Sequence, residues 1–179
     1  MFTVLISRSG STLGEVLETA PYLQKHIDKI ISTKQKQELH QSLEEFEVEV
    51  MDPKQVEEHL LSIKSTIIIL IGYMRILSEG VCKRHQIYNL HPGDIERYPA
   101  LKGKDPIERL FESVPQPEDH VSVSHELGCV IHKVIPEVDA GEIVRVQRYF
   151  AKDYKDAVIK SQEVAVDMWI DFLSFKIDN

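Results

Sequence analysis

The segment Thr66-Ile67-Ile68-Ile69-Leu70-Ile71 constrains this chain more than any other. Its β-branched side chains favour extended backbone, and after Thr66 the run offers no polar face to water. Successive side chains of a strand point to opposite faces, so a strand written this way must be covered on both. Sheets covered on both faces are mostly parallel, with helices above and below and right-handed crossovers between strands. The rest of the first half supplies those parts. Met1–Ile6 opens with the strand Val4-Leu5-Ile6, which ends in Ser7-Arg8-Ser9-Gly10-Ser11-Thr12. Leu13, Val16, Leu17 and Ala20 then recur at helical spacing. Lys29–Ser32 reads as a second strand, Gln35–Phe46 as a helix and Glu47–Val50 as a third strand. Pro53 stands where a helix begins, and Val56, His59, Leu60 and Ile63 mark its inward stripe. Beyond the apolar run, a short helix over Glu79–Arg84 leads to a strand over Gln86–Leu90.

This alternation predicts an α/β fold: a doubly wound, Rossmann-like, mostly parallel sheet with helices on both faces. Ligands of such sheets collect at the carboxyl ends of the strands. Three polar clusters sit there, after Ile6, after Ile71 and around Asn89–His91. The second half changes character. Pro92, Pro99, Pro106, Pro115 and Pro117 break it into loops, with one helix near Asp105–Ser113. Two strands, Leu127–Val134 and Ile143–Phe150, flank the loop Glu137-Val138-Asp139-Ala140-Gly141. A last helix runs from about Lys155 to Phe175, and Val158, Ala165, Met168, Trp169, Phe172 and Leu173 form most of its core-facing stripe. No repeat or compositional break divides residues 1–179. They read as one domain, with a nucleotide- or phosphate-binding half over 1–90 and a half over 91–179 carrying the loops, late strands and final helix.

With 42% hydrophobic residues, 179 residues suffice for a layered core. Cys82 and Cys129 read as small buried hydrophobes rather than a disulfide, which suits a reducing cytoplasm. The chain lacks an apolar run of the roughly 18 residues a membrane span needs, and its start has no signal-peptide pattern. A net charge of −8, spread along the chain, argues against wrapping nucleic acid but leaves room for a local anion site. No H-x-x-x-H pair, C-x-x-C or G-x-S-x-G is present, so neither a metal centre nor a serine nucleophile is expected.

The clusters carry more. In Ser7–Thr12 a glycine permits close backbone approach, and the amides and hydroxyls of Gly10, Ser11 and Thr12 can meet an anion at a helix start. An ordinary capped turn fits equally well. Asn89 and His91 flank Leu90 and so share a strand face. Asn89 can donate to a developing oxyanion, and His91 can stabilise that oxyanion as a cation or shuttle an amine's proton. A turn-forming Asn and a capped His fit the same residues. Asp139, if near His91, would raise its pKa and orient the ring, although an Asp turn explains the residue as well. His132, on the alternating Val130-Ile131-His132-Lys133-Val134, reads as a structural or exposed histidine.

Together these clusters resemble the folate-dependent formyltransferase family, and most of all its glycinamide ribonucleotide branch. Val4–Leu13 resembles the family's V-L-I-S-G-x-G-S-N-L phosphate turn, Gly72–Ser78 matches G-Y-M-R-I-L-S, and Asn89-Leu90-His91-Pro92 matches N-x-H-P. His132 followed seven positions later by Asp139-Ala140-Gly141 resembles V-H…D-x-G, and Gln162-Glu163 resembles a Q-E pair on the last helix. The resemblance implies transfer of a formyl group from 10-formyltetrahydrofolate to a phosphorylated primary amine, without metal. It implies that Asn89 and protonated His91 hold the oxyanion, while Asp139 supports His91 and helps take the amine proton. Met74, Arg75, Ile76 and Leu77, with Val138 and Asp139, would border the folate. Gly10, Ser11, Thr12, Pro92 and Glu163 would hold the acceptor. The implied partners are small molecules rather than nucleic acid or membrane, bound by a monomer or homodimer. Arg8, Thr12, Gly93, Lys102 and Val164 depart from the family pattern. Another amino-sugar or nucleotide amine as acceptor, a formyl-folate hydrolase and a non-catalytic folate- or nucleotide-binding protein stand as alternatives. Hydrolysis, or transfer to methionyl-tRNA, would call for an added domain, for which a chain of this length has no room.

Overall fold

The structure is a computed structural model that describes residues 1–113 and 124–178. Pro115 and Pro117, read as loop breakers, lie outside the described residues. Strands β1 (Phe2–Ile6), β2 (Ile27–Ser32), β3 (Val48–Val50), β4 (Ile67–Leu70), β5 (Gln86–His91), β6 (His125–Lys133) and β7 (Ile143–Ala151) form one sheet in the order β3-β2-β1-β4-β5-β6-β7. Pairings among β1 to β5 are parallel, whereas β6 runs antiparallel to β5 and to β7. The chain winds outward from β1 to β3 and then returns to lay β4 beside β1. That reversal opens a crevice at the carboxyl ends of β1 and β4.

The apolar run behaves as its composition demands. Ile68 and Leu70 join the core layer containing Val56 and Leu60 of helix α2 (Pro53–Ser62) and Val81 of helix α3 (Glu79–Arg84). Ile69 and Ile71 join the opposite layer, with Leu13, Val16 and Leu17 of helix α1 (Ser11–Thr19) and Trp169 and Phe172 of the last helix. Burying each such side chain contributes about 1.5–3 kcal/mol, so a polar residue in this run would weaken one whole layer. Helix α2 starts sharply because Asp52 accepts from the Lys54 and Gln55 amides, Gln55 returns the bond to the Asp52 amide, and Pro53 fits the first turn. Helix α4 (Pro106–Ser113) and helix α5 (Tyr154–Asp178) complete the set.

Two expectations are corrected, and one element is added. Gln35–Phe46 forms no continuous helix but two 3-10 turns, Lys36–Glu38 and Gln41–Leu43. Glu38 accepts from the Gln35 amide and the His40 ring from the Ser42 amide, and these local bonds compete with helix propagation. The segment is also held from outside, since the His40 amide donates to the Ser9 carbonyl at 2.8 Å. A 3-10 turn at Pro21–His26, which no periodicity announced, joins α1 to β2. Val158 is 44% exposed, because Ala157 and Ser161 take the inward positions at that end of α5.

Candidate active site

Strand β5 carries Asn89 and His91 to the crevice on one face. The antiparallel register of β6 sets His132 directly opposite Asn89, with the Asn89 amide nitrogen 3.4 Å from His132 Nε2. Asp139 reaches the same point from the β6–β7 connection, in left-handed backbone at φ 48°. Its carboxylate sits between two imidazoles, with Oδ2 3.2 Å from His91 Nδ1 and Oδ1 3.3 Å from His132 Nε2. The Gly103 amide donates to the same Oδ2 at 2.8 Å. His91 Nε2 donates to the Leu101 carbonyl at 2.9 Å, and His132 Nδ1 donates to the Lys133 carbonyl at 2.8 Å. The loop carrying Asp139 closes so tightly that Gly141 lies against the Lys133 carbonyl, with no space for a side chain.

His91 and His132 are buried, and this burial governs the electrostatics. Desolvation is the largest influence on His91 and drives its pKa below the ordinary histidine value. Asp139 and the Leu101 carbonyl pull the other way and lose, while His132 and Arg109 add to the downward push. The expectation that Asp139 raises the His91 pKa is thus right in direction but outweighed, and the ring at rest is neutral rather than protonated. Because Leu101 offers only an acceptor, Nε2 carries the one proton. Nδ1, facing Asp139, is where a second would land. For Asp139 itself, burial would raise the pKa, but the His132 hydrogen bond, the His91 interaction and the Gly103 amide together hold it below the usual carboxylate range. An ionised carboxylate therefore underlies a neutral imidazole.

The other sequence candidates divide. Ser7 Oγ donates to the Gly72 carbonyl at 3.3 Å and accepts from the Met74 amide at 2.7 Å, which ties the turn after β1 to the segment after β4. Gly10 adopts φ 77°, and a side chain there would meet Leu43 Cδ1 at 2.5 Å, so only glycine fits. Gly10 at the N-cap has no side chain to cap α1, so among the described residues its first amides are open to an anion. The Thr12 hydroxyl, however, is engaged with the Gln162 amide group at 3.0–3.1 Å, and Gln162 also reaches Glu15 at 3.3 Å. Thr12 thus brings its amide rather than its hydroxyl. Glu163 is exposed on α5, and Pro92 leaves β5 toward a loop pinned by buried Asp94, whose carboxylate receives Arg148 Nε at 2.7 Å. Gly93, where the family pattern has serine, lies so near His91 that a Cβ would stand 3.0 Å from its Nε2. Beyond β4, Met74 is 57% and Ile76 75% exposed, and Val138 beside Asp139 is 47% exposed. Large apolar side chains left open at a sheet's carboxyl edge suit a flat apolar ligand. Arg75 is exposed as well. Leu77 instead sits in the core layer with Val56 and Val81, so its side chain faces away from solvent.

Sequence reasoning missed His132 as a member of this cluster. Its seven-residue spacing to Asp139 was the available signal, but only the β5–β6 register shows that it faces Asn89. Among the described residues no cluster of His, Cys, Asp or Glu is arranged to hold a metal, and no helix is long and apolar enough to cross a membrane.

Comparison with known proteins agrees with this architecture. The chain is 28% identical over 131 residues to methionyl-tRNA formyltransferase of Thermotoga maritima, covering 70% of this chain and 38% of that one. It is 38% identical over 85 residues to phosphoribosylglycinamide formyltransferase of Dictyostelium discoideum, covering 44% of this chain and 37% of that one. The chain thus spans less than two fifths of the length of either relative. Its fold matches the crystal structure of phosphoribosylglycinamide formyltransferase from Campylobacter jejuni with a TM-score of 0.75 at 22% identity, over 99% of this chain and 97% of that one. Residues 2–162 match the formyl transferase family as a whole, and the chain belongs to that family.

Proposed function

We propose that this protein transfers the formyl group of 10-formyltetrahydrofolate to the primary amine of a phosphorylated small molecule, with glycinamide ribonucleotide as the favoured acceptor. The observation that carries this reading is the linked set Asn89, His91, His132 and Asp139 at the carboxyl end of β5, beside the exposed Met74, Ile76 and Val138. The neutral amine attacks the formyl carbon, whose oxygen takes negative charge. Asn89 has two amide hydrogens, and the 3.4 Å contact with His132 takes at most one, which leaves one for that oxygen. As the new C–N bond forms, the amine nitrogen gives up a proton. It passes by way of Asp139 to His91 Nδ1, the one basic nitrogen of a ring neutral at rest, and Asp139 stabilises the resulting imidazolium across 3.2 Å. Return of that proton to the departing N10 nitrogen completes the exchange and restores the site. Burial supports this cycle: it keeps the ring neutral, with its one proton on Nε2, between turnovers, while the carboxylate makes the doubly protonated state accessible. The free amides at Gly10, Ser11 and Thr12 would take the acceptor's phosphate.

One observation favours a different phosphorylated amine, an amino sugar or nucleotide, on the same chemistry. The Thr12 hydroxyl and Gln162 are spent on each other and on Glu15, which changes what the acceptor side of the crevice presents. A panel of phosphorylated amines, assayed with 10-formyltetrahydrofolate for tetrahydrofolate release, separates the two. Release with glycinamide ribonucleotide supports the first reading, and release only with another amine supports the second. Release without any acceptor marks a hydrolase, and no release under any condition refutes formyl transfer.

A further inference from the structure

Arg109, on α4, belongs to none of the motifs above, yet its guanidinium gathers three consecutive backbone carbonyls. NH1 donates to the Ala100 oxygen at 2.8 Å, while NH2 donates to those of Leu101 at 2.9 Å and Lys102 at 2.8 Å. The middle carbonyl is the one that accepts from His91 Nε2. Two residues later the Gly103 amide donates to Asp139. The segment 100–103 therefore gives one acceptor to the imidazole and one donor to the carboxylate, and a single side chain holds it from beneath.

The turn needs such a holder. Three carbonyl dipoles aimed at one point repel each other unless a cation lies among them. The stretch that follows turns through Gly103 at φ 86°, which glycine adopts freely, and Asp105 at φ 51°, a left-handed conformation that a non-glycine residue keeps only where surrounding contacts over-determine it. A planar guanidinium with donors at fixed angles suits carbonyls of fixed spacing, whereas a lysine ammonium is a point charge on a flexible stem. Among the described residues the buried Arg109 Nε has no hydrogen-bond partner, while both terminal nitrogens lie on the turn. Its charge, close to the Leu101 carbonyl, also weighs against a second proton on His91.

We propose that Arg109 is a positioning residue for the His91–Asp139 pair: by clamping the carbonyls of residues 100–102 it fixes the Leu101 oxygen against His91 Nε2 and the Gly103 amide against Asp139. Its kinetic consequence rests on the formyl-transfer reading, but its structural consequence does not. The test uses the parent chain, R109A and R109K, each checked for folding by thermal melting. The first measurement, made without ligands, is the nitrogen-15 NMR signal of the hydrogen-bonded His91 Nε2–H, with the His132 Nδ1–H as internal reference. The second is kcat and KM for tetrahydrofolate release with 10-formyltetrahydrofolate and whichever amine of the panel is turned over.

In R109A the His91 signal disappears while the His132 signal, held by the Lys133 carbonyl, persists. Loosening the ring by an ångström or so lowers kcat roughly ten- to hundred-fold, with KM for the folate changed less than about threefold. R109K keeps the charge, loses the fork and falls between the two, so it carries the test if R109A does not fold. Retention of the His91 signal or retention of kcat in the folded variants overturns the proposal. If the parent transfers formyl to no amine, the ring signal alone decides the role of Arg109, and only the functional reading fails.

Discussion

Replacing Gly141 with alanine, a change of one methyl group two residues beyond Asp139, should disable the site. A Cβ at Gly141 would stand 1.9 Å from the Lys133 carbonyl oxygen and 2.8 Å from its carbon. Ordinary contact begins at 3.4 Å, so the gap must widen by 3.4 − 1.9 = 1.5 Å. Neither side yields freely. The Lys133 oxygen accepts from His132 Nδ1 at 2.8 Å, and the Lys133 amide is bonded to the Glu142 carbonyl at 2.8 Å. If the carbonyl retreats, His132 turns with it. If the loop retreats, Asp139, two residues before Gly141, is drawn from contacts of 3.2 and 3.3 Å to distances beyond hydrogen bonding. A misplacement of about an ångström at a catalytic group costs on the order of a hundred-fold in rate, and overpacking of this kind destabilises by about 1–3 kcal/mol. Steady-state tetrahydrofolate release and urea denaturation measure the two effects. Gly80→Ala in α3 is the control: its Cβ meets the flexible Leu61 Cδ2 at 3.3 Å and Ser78 Oγ at an ordinary 3.9 Å. There the helix preference for alanine, up to about 1 kcal/mol, offsets the small crowding, and turnover is unchanged. A G141A protein with kcat within about threefold of the parent and an unaltered urea midpoint would refute the argument that this contact positions Asp139.

Two further predictions concern the same residues. The His91 pKa is lowered on folding, so the unfolded chain binds this proton more readily. The stability contribution is complete above 6.5 and is lost as pH falls through the folded value, and Asp139 adds the same sense below 3.8. NMR titration should therefore find the His91 midpoint below 6.5, and lower again in Asp139→Asn, because the carboxylate is what holds it up. A midpoint above 6.5 would contradict the dominance of burial. For Asn89→Ala, loss of one oxyanion donor should lower kcat by about 10²–10³-fold while the folate KM holds, and a kcat within about tenfold of the parent would exclude that role. Its thermal stability should change little, since the Asn89 side-chain hydrogen bond to His132 is long, at 3.4 Å.

What the sequence by itself determined was whatever rests on local pattern. The unbroken Ile67–Ile71 run demanded cover on both faces, and alternation along β4 sends Ile68 and Leu70 to one layer and Ile69 and Ile71 to the other. Asn89 and His91 share a face because they are two residues apart on a strand, and that too is local. The motifs around Gly72–Ser78, Asn89–Pro92 and Asp139–Gly141 were enough to suggest the family. Pattern failed where partners from elsewhere decide the outcome. Gln35–Phe46 has helical composition, but local caps and its contact with Ser9 hold it in two 3-10 turns. His132 became a site residue only when the antiparallel β6 set it opposite Asn89. Thr12 lost its hydroxyl to Gln162, 150 positions away, and Arg109 acquired its role from a turn whose shape no spacing reveals. Only the tertiary structure sets the protonation of His91, because the sequence names the carboxylate that would raise its pKa while the packed fold supplies the desolvation that outweighs it. The physical reason is common to all of these: strand period and turn chemistry act between near neighbours, whereas register, burial and field are sums over groups that meet only once the chain has folded.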